Sequence, residues 1–310
     1  MRKTSKIYIA GHNGLVGSAL VRRLNKLGYK NILTRSRKEL NLTDQKSVSA
    51  FFKSEKPKYV FLAAAKVGGI IANSTYPANF IHDNLVIQDN IIHNSYLNGV
   101  TKLLFLGSSC IYPRMAPQPI KEEYLLSGYL EPTNIAYATA KIAGIIECQS
   151  YNKQHDTNFI SVMPTNLYGG MDNFDLESGH VLPAMIRRFH EAKTKDLKEV
   201  ILWGSGIAKR EFLYVDDLAD ACVFIMNSYN DSAIINIGTG KDVSIKKLAN
   251  LVKKTVAYQG KIVWDITKPD GTPRKLLNVK KINKLGWKYQ TELGAGLKKT
   301  YKWFLTNTTK

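Results

Sequence analysis

Cysteine is scarce in this chain. Its 310 residues include three, Cys110, Cys148 and Cys222, far apart and without a CxxC pair. This argues against a disulfide framework and favours reduced thiols in a cytoplasmic protein. Long apolar runs are missing as well. The most apolar stretch, Val60–Ala72, is interrupted by Lys66 and two glycines, so it falls short of the ~18 residues that suggest a membrane span. The basic start, Met1 to Lys6, precedes an apolar segment that ends by Gly11, too short for a secretory signal. Repeats and low-complexity tracts are absent. Acidic residues are the last shortage: 25 against 44 basic ones, for a net charge of +19. Such an excess raises the question of nucleic-acid binding. The basic residues are scattered, however, with no RNA-binding motif or zinc-ligand spacing. Pairs such as Lys246-Lys247, Lys253-Lys254 and Lys298-Lys299 fit solvated helix faces, and a basic surface also draws an anionic nucleotide. The expectation is a soluble protein with no nucleic-acid or membrane partner.

What is present is an ample core, with 44% hydrophobic residues, and an alternating pattern. Lys6–Ala10, Ile32–Thr34, Tyr59–Ala64, Leu103–Leu106 and Phe159–Met163 read as strands. Leu15–Leu27, Asp44–Ser54, Asn79–Asn98 and Ala138–Lys153 read as the helices between them, the second capped by Thr43 or Asp44. This predicts an α/β fold, a Rossmann-type doubly wound parallel sheet. The rhythm breaks after Met163, where Pro164 to Gly179 is rich in Asn, Gly and Asp and predicts a functional loop. The remainder mixes helices (Val181–Ala192, Ile245–Ala257, Leu293–Leu305) with short strands (Val200–Leu202, Ile234–Ile237, Lys261–Trp264). The expected division is a dinucleotide-binding domain over residues 1–166 with roughly 210–240, and a smaller C-terminal α/β substrate domain over 167–209 and 241–310.

Gly11-His12-Asn13-Gly14-Leu15-Val16-Gly17 follows the first strand and opens the first helix. Glycines at this spacing let backbone approach a pyrophosphate while the helix N-terminal amides point at it. At the end of the second strand, Thr34-Arg35-Ser36-Arg37-Lys38 offers no carboxylate before Glu39. An acidic residue there would favour NAD, whereas an arginine holds a 2′-phosphate. NADP(H) is therefore expected, with Arg37 as the clamp and Arg35 or Ser36 helping.

Tyr137 and Lys141 lie four apart on a predicted helix and share a face. A neighbouring ammonium and an oxidised nicotinamide favour the phenolate of such a tyrosine, which makes it a proton carrier for a carbonyl oxygen. Ser108 or Ser109, after a strand, adds a hydroxyl to the same oxygen. Cys110 stands inside this serine segment, although hydride transfer calls for no thiol.

Gly11 to Gly17, Ser108-Ser109, Tyr137 with Lys141, Arg210-Glu211-Phe212-Leu213-Tyr214-Val215-Asp216-Asp217 and Asn236-Ile237-Gly238-Thr239-Gly240 resemble the extended short-chain dehydrogenases/reductases that act on nucleotide sugars. Ala63 to Ile70, Gly107 to Pro113, Pro164 to Gly169 and Lys268 to Lys275 narrow the resemblance to NADPH-dependent 3,5-epimerase/4-reductases. Gly170-Met171 departs from the Pro-His of that group, which bears on the loop more than on the chemistry. The resemblance implies a substrate, GDP-4-dehydro-6-deoxy-D-mannose, whose C4 ketone acidifies C3 and C5, and Cys110 and His180 as the base and acid that invert them. It further implies Arg188, Trp203, Arg210 and Asp270 on the substrate. On NADP it implies Leu106, Gly107, Lys141, Pro164, Thr165, Asn166, Leu167 and His180. It also implies a homodimer through helices near Asn84–Asn98 and Tyr137–Lys153.

Two enzyme alternatives share the fold. A dehydratase usually carries an acidic pair just after the serine, where this chain has Cys110-Ile111. A UDP-sugar 4-epimerase needs no thiol. A non-catalytic NADP-sensing or RNA-binding scaffold would tolerate loss of Tyr137 or Lys141, and both are present.

Overall fold

Alternating apolar runs and amphipathic helices build the first half of the chain in a computed structural model that describes residues 1–268 and 271–308. The elements run β1 (Ile7–Ala10), α1 (Leu15–Lys26), β2 (Ile32–Leu33), α2 (Gln45–Glu55), β3 (Tyr59–Leu62), α3 (Ile70–Thr75), α4 (Pro77–Leu97), β4 (Lys102–Leu106), α5 (Ile135–His155) and β5 (Phe159–Pro164). Then follow β6 (Asn166–Tyr168), α6 (Val181–Thr194), β7 (Glu199–Trp203), β8 (Lys209–Tyr214), α7 (Val215–Ser228) and β9 (Ile235–Ile237). The chain closes with β10 (Asp242–Ser244), α8 (Ile245–Val256), β11 (Lys261–Asp265), β12 (Arg274–Lys275), α9 (Lys280–Lys284) and α10 (Leu293–Asn307).

Six strands form one parallel sheet in the order β2-β1-β3-β4-β5-β9. β1, β4 and β5 are buried throughout, as a parallel sheet covered on both faces requires. The order reverses at β1, so a crevice opens beyond the carboxyl ends of β1 and β3, where open α/β sheets bind ligands. α4 and α5 pack closely on one face. Gly144 permits this, because a Cβ there would lie 2.9 Å from Gln88, whose amide donates to the Ala140 carbonyl at 2.8 Å.

A second apolar cluster gathers Tyr168, Phe174, Leu182, Ile186, Phe189, Phe212, Leu248, Val252, Leu297 and Phe304. It lies under α6, α8 and α10 and two small sheets, β10-β8-β12 with β6 joined to β8, and β11-β7. The first cluster takes in the parallel sheet, α7 and the segment around Leu277, Ile282 and Trp287. Glu211, fully buried on β8, links the two clusters. Its carboxylate accepts from the amides of Thr239 (2.6 Å), Gly240 (2.7 Å) and Leu277 (2.9 Å). The segment expected to be an irregular loop after Met163 contains β6, paired in register with Phe212 to Tyr214. No helix among the described residues is long and apolar enough to cross a membrane.

Candidate active site

The glycine loop sits at the reversal point. Gly11 has φ 88°, and a Cβ there would lie 2.7 Å from the Ala64 amide nitrogen, so loop and β3 terminus touch backbone to backbone. A Cβ on Gly17 would collide with the Gly11 carbonyl. Gly14 is different: a Cβ there would meet only the Gly11 oxygen, at an ordinary 3.5 Å. Nothing in the protein demands glycine at 14. Space for a ligand does, and Gly14 is the exposed N-cap of α1, with no side chain bonding the first-turn amides of Leu15, Val16 and Gly17. Those unpaired amides suit a pyrophosphate. His12 lines the loop with its Nδ1 buried and unpartnered, and Asn13 is exposed.

Beyond β2, Arg37 is exposed, and among the described residues no side chain pairs with its guanidinium. Arg35 is held by Glu55 (2.7 Å) and lies over the Phe51 ring. Glu39 folds back so that its carboxylate accepts from the Ser36 amide at 2.7 Å, which lowers its pKa.

Leu106 and Gly107 end β4 in buried positions, and Gly107 lies tightly against Met163. Lys141, buried on α5, donates from Nζ to the Leu106 carbonyl at 2.7 Å. Burial brings its pKa down to about 7. Pro164 pairs with Ile237, the Thr165 amide donates to the Ile237 carbonyl, and the Asn166 side chain donates to the Glu211 carbonyl at 2.7 Å. Leu167 is half-buried on β6.

Ser108, Cys110 and Tyr137 come together. The Ser108 hydroxyl caps a short 3-10 turn by accepting from the Cys110 amide at 3.1 Å, and it hydrogen-bonds both the Tyr137 phenol and the Cys110 thiol. Phe80 of α4 holds the Tyr137 ring edge-on at 6.5 Å. Burial raises the Tyr137 pKa, the neighbouring Cys110 charge adds to this, and the Ser108 bond opposes it. This direction runs opposite to the phenolate that the ammonium four residues away and an oxidised nicotinamide are expected to favour. Burial is the largest cause of the shift, and the Lys141 Nζ stands 5.9 Å from the ring centroid. A phenol is the form that can donate a proton.

Lys275 was not anticipated. Its Nζ lies 3.2 Å from the Cys110 sulfur. Burial alone would raise the thiol pKa. The Lys275 charge, with hydrogen bonds from Ser108, Lys275 and Asn134, more than offsets burial and leaves it lowered. The only cue in sequence was a lysine ending the Lys268–Lys275 segment, 165 positions from its partner.

His180 is the N-cap of α6, at the end of a loop pinned across the cleft by the Gly69 amide, which donates to the Ser178 carbonyl at 3.0 Å. His180 is an exposed residue whose imidazole nonetheless stands close to protein. Desolvation lowers its pKa, and Lys275 adds to the effect. Gly170 packs on Trp303, where a Cβ would lie 2.7 Å from the indole, and Met171 takes φ 66°. The departure from Pro-His thus fits a loop turned against α10.

Arg188 donates to the Ile201 carbonyl at 2.8 Å, and Trp203, 54% exposed, ends β7 with Lys268 over its ring. Arg210 on β8 sits beside Gly271 and in register with Lys275 of β12. Asp270 lies outside the described residues. Cys148 and Cys222 are buried in helices, and all three cysteines are free.

A thiol thus stands beside a serine–tyrosine–lysine set, next to a dinucleotide cradle. The NAD dependent epimerase/dehydratase family model covers residues 7–238. The chain belongs to that family. It is 60% identical over 307 residues to "Putative GDP-L-fucose synthase 2" of Arabidopsis thaliana, covering 99% of this chain and 94% of that one. Its fold is similar to a GDP-6-OMe-4-keto-L-xylo-heptose reductase from C. jejuni, with TM-score 0.95, 43% identity and 99% of each chain covered. It is also similar to a GDP-L-fucose synthetase from Naegleria fowleri bound to NADP, with TM-score 0.92 and 30% identity over 99% of this chain and 96% of the other. The family member described here is an NADP(H)-dependent epimerase/reductase, and the cradle at Gly11–Gly17 and the free guanidinium of Arg37 fit that cofactor.

Proposed function

We propose that this protein converts GDP-4-dehydro-6-deoxy-D-mannose to GDP-L-fucose by inverting C3 and C5 and then reducing C4. The observation that carries the proposal is the Cys110 thiol, hydrogen-bonded to the same Ser108 that bonds Tyr137. In each inversion Cys110 takes the ring proton as thiolate. The C–H bond breaks, an S–H bond forms, and the electron pair moves onto the C4 oxygen. His180 returns a proton from the opposite face, and the ketone is restored with the carbon inverted; before the second inversion the thiol gives its proton to solvent and His180 takes one up. Ser108 and Tyr137 hydrogen-bond the C4 oxygen while it carries charge. Bound NADPH supplies the hydride that reduces C4. Tyr137 gives its phenolic proton to the oxygen, and Lys141 holds the ribose. Arg188 and Arg210 suit the diphosphate, since a guanidinium binds two oxygens at once. Trp203 and Asp270 complete the substrate set. The parallel-sheet body is assigned to NADP and the smaller one to the GDP end.

We assign the protein to the cytoplasm, which three free thiols support, and to a homodimer through α4 and α5. Leu97 and Ile146 support the dimer, being 58% and 42% exposed on those helices.

The test is turnover of the 4-keto GDP-sugar in D2O with NADPH, the product followed by NMR. Expected are NADPH oxidation, deuterium at C3 and C5, and L-fucose stereochemistry. No turnover of this sugar would reject the substrate. The likeness to the heptose reductase favours a second reading, reduction at C4 alone, which predicts NADPH oxidation without deuterium uptake. Cys110→Ser is expected to block deuterium uptake while cofactor binding persists.

A further inference from the structure

We propose that Lys275 is a positioning residue that holds the Cys110 sulfur charged and aimed for proton abstraction. This rests on the assignment of Cys110 as the epimerisation base. Three donors surround the sulfur: Ser108, Asn134 and Lys275. Only Lys275 brings charge, at 3.2 Å. Among the described residues no carboxylate forms an ion pair with Lys275. The Asn134 amide also serves the sulfur, and its own Oδ1 stays buried without a partner.

Strand pairing explains how so distant a lysine arrives there. β12 lies parallel to β8 with Lys275 opposite Arg210, and residues paired across strands point to one face. Glu211, the next residue of β8, points the other way and holds the Leu277 amide at 2.9 Å. That bond fixes the strand from which Lys275 projects. The face that carries the guanidinium expected on the diphosphate therefore also carries the cation at the thiol.

Hydrogen bonds and a nearby cation both favour a thiolate. The same charge disfavours protonation of His180, which feels Lys275 as well. Neutralising Lys275 should move both groups in one direction: the thiol and the imidazole each hold a proton to higher pH. A merely structural lysine would not shift both limbs of a pH–rate profile together.

The experiment follows alkylation of Cys110 by iodoacetamide against pH, peptide by peptide, in the full-length protein and in Lys275→Met, Lys275→Gln and Lys275→Arg. Buried Cys148 and Cys222 serve as unreactive references, and circular dichroism checks folding. The expected result is alkylation about tenfold or more slower at pH 7 in both neutral variants, a tenfold loss corresponding to one unit of thiol pKa. The midpoint should move up, and Lys275→Arg should largely restore it. Solvent deuterium uptake into the sugar should fall by a similar factor at pH 7 and recover at higher pH, with both limbs displaced upward. An unmoved alkylation midpoint in both neutral variants would overturn the proposal. So would a raised KM with an unmoved exchange profile, which would make Lys275 a phosphate ligand. Exchange that survives Cys110→Ser removes the base assignment itself. Exchange lost in Cys110→Ser but intact in Lys275→Met removes only the lysine.

Discussion

A tyrosine enclosed beside a sulfur and one standing beside a solvated ammonium have opposite preferences. Sequence spacing suggests the second, because Tyr137 and Lys141 are one helical turn apart. The fold pulls toward the first, because Lys141 turns its Nζ to the Leu106 carbonyl and burial raises the phenol pKa. Spacing along a helix shows which side chains share a face. It does not show how much water reaches them, and the protonation state of Tyr137 depends on that. A phenol that keeps its proton is required for the last step but less so for the inversions. Tyr137→Phe should therefore lower kcat for NADPH oxidation by roughly 10²–10⁴-fold, while deuterium continues to enter C3 and C5 at a reduced rate. Equal loss of both would place the tyrosine in proton abstraction. The missing carboxylate after β2 singles out Arg37 in the sequence, and Arg37 is exposed where Arg35 is tied to Glu55. Arg37→Ala should weaken NADPH by about tenfold, the equivalent of one charge-assisted phosphate contact, and leave NADH almost unchanged. Fluorescence titration with both nucleotides checks this, and equal losses would remove the clamp.

Elements with a dry and a wet face were legible in the sequence. α1, α2, α6, α8 and α10 lie within a few residues of their expected spans, and Asp44 caps α2 by accepting from the Lys46 and Ser47 amides. The lysine pairs of α8 are mostly exposed, opposite buried Leu248, Ala249, Val252 and Val256. Other elements were missed, α7 and β8 among them. α7 buries nine of its 14 residues. β6, β10 and β12 are two or three residues long, shorter than any alternation can mark. Lys275 stayed hidden for the same reason: its position depends on the register of β12 against β8, which no local pattern encodes. α8 supplies an elementary test. Ser244 caps it by accepting from the Lys247 amide at 3.1 Å, and the helix covers the second apolar cluster. Ser244→Ala should cost about 1 kcal/mol and lower Tm by ~2–4 °C, with NADPH affinity unchanged. Calorimetry with a parallel nucleotide titration distinguishes this from a local effect at the cofactor site.

At the scale of the whole molecule, α4 and α5 serve two surfaces. Their inner sides cover the parallel sheet and place Tyr137 and Lys141. Their outer sides carry the exposed Leu97 and Ile146, together with a carboxyl that does not suit its surroundings. Glu147 is half-buried, its Oε1 is enclosed without a hydrogen-bond partner, and burial with repulsion from Asp89 pushes its pKa up to about 8. Tyr151 and Cys148 sense the same charge. An unfolded glutamate titrates near 4.3, roughly, so the folded chain holds this proton more tightly. Its contribution to stability is complete below the unfolded value and is lost as pH rises through about 8. Glu147→Gln mimics the protonated form and should raise Tm by several degrees at pH 8 to 9, with the gain shrinking toward zero near pH 5. Thermal unfolding of both proteins across that range checks the sign, and a pH-independent difference would mean that the glutamine acts through packing alone. If the two helices pair between protomers, the same substitution should also hold the dimer together at alkaline pH. Light scattering at pH 9 then reads a larger dimer fraction in Glu147→Gln than in the natural chain. An unchanged fraction, alongside a raised Tm, would confine the carboxyl to the fold of one protomer.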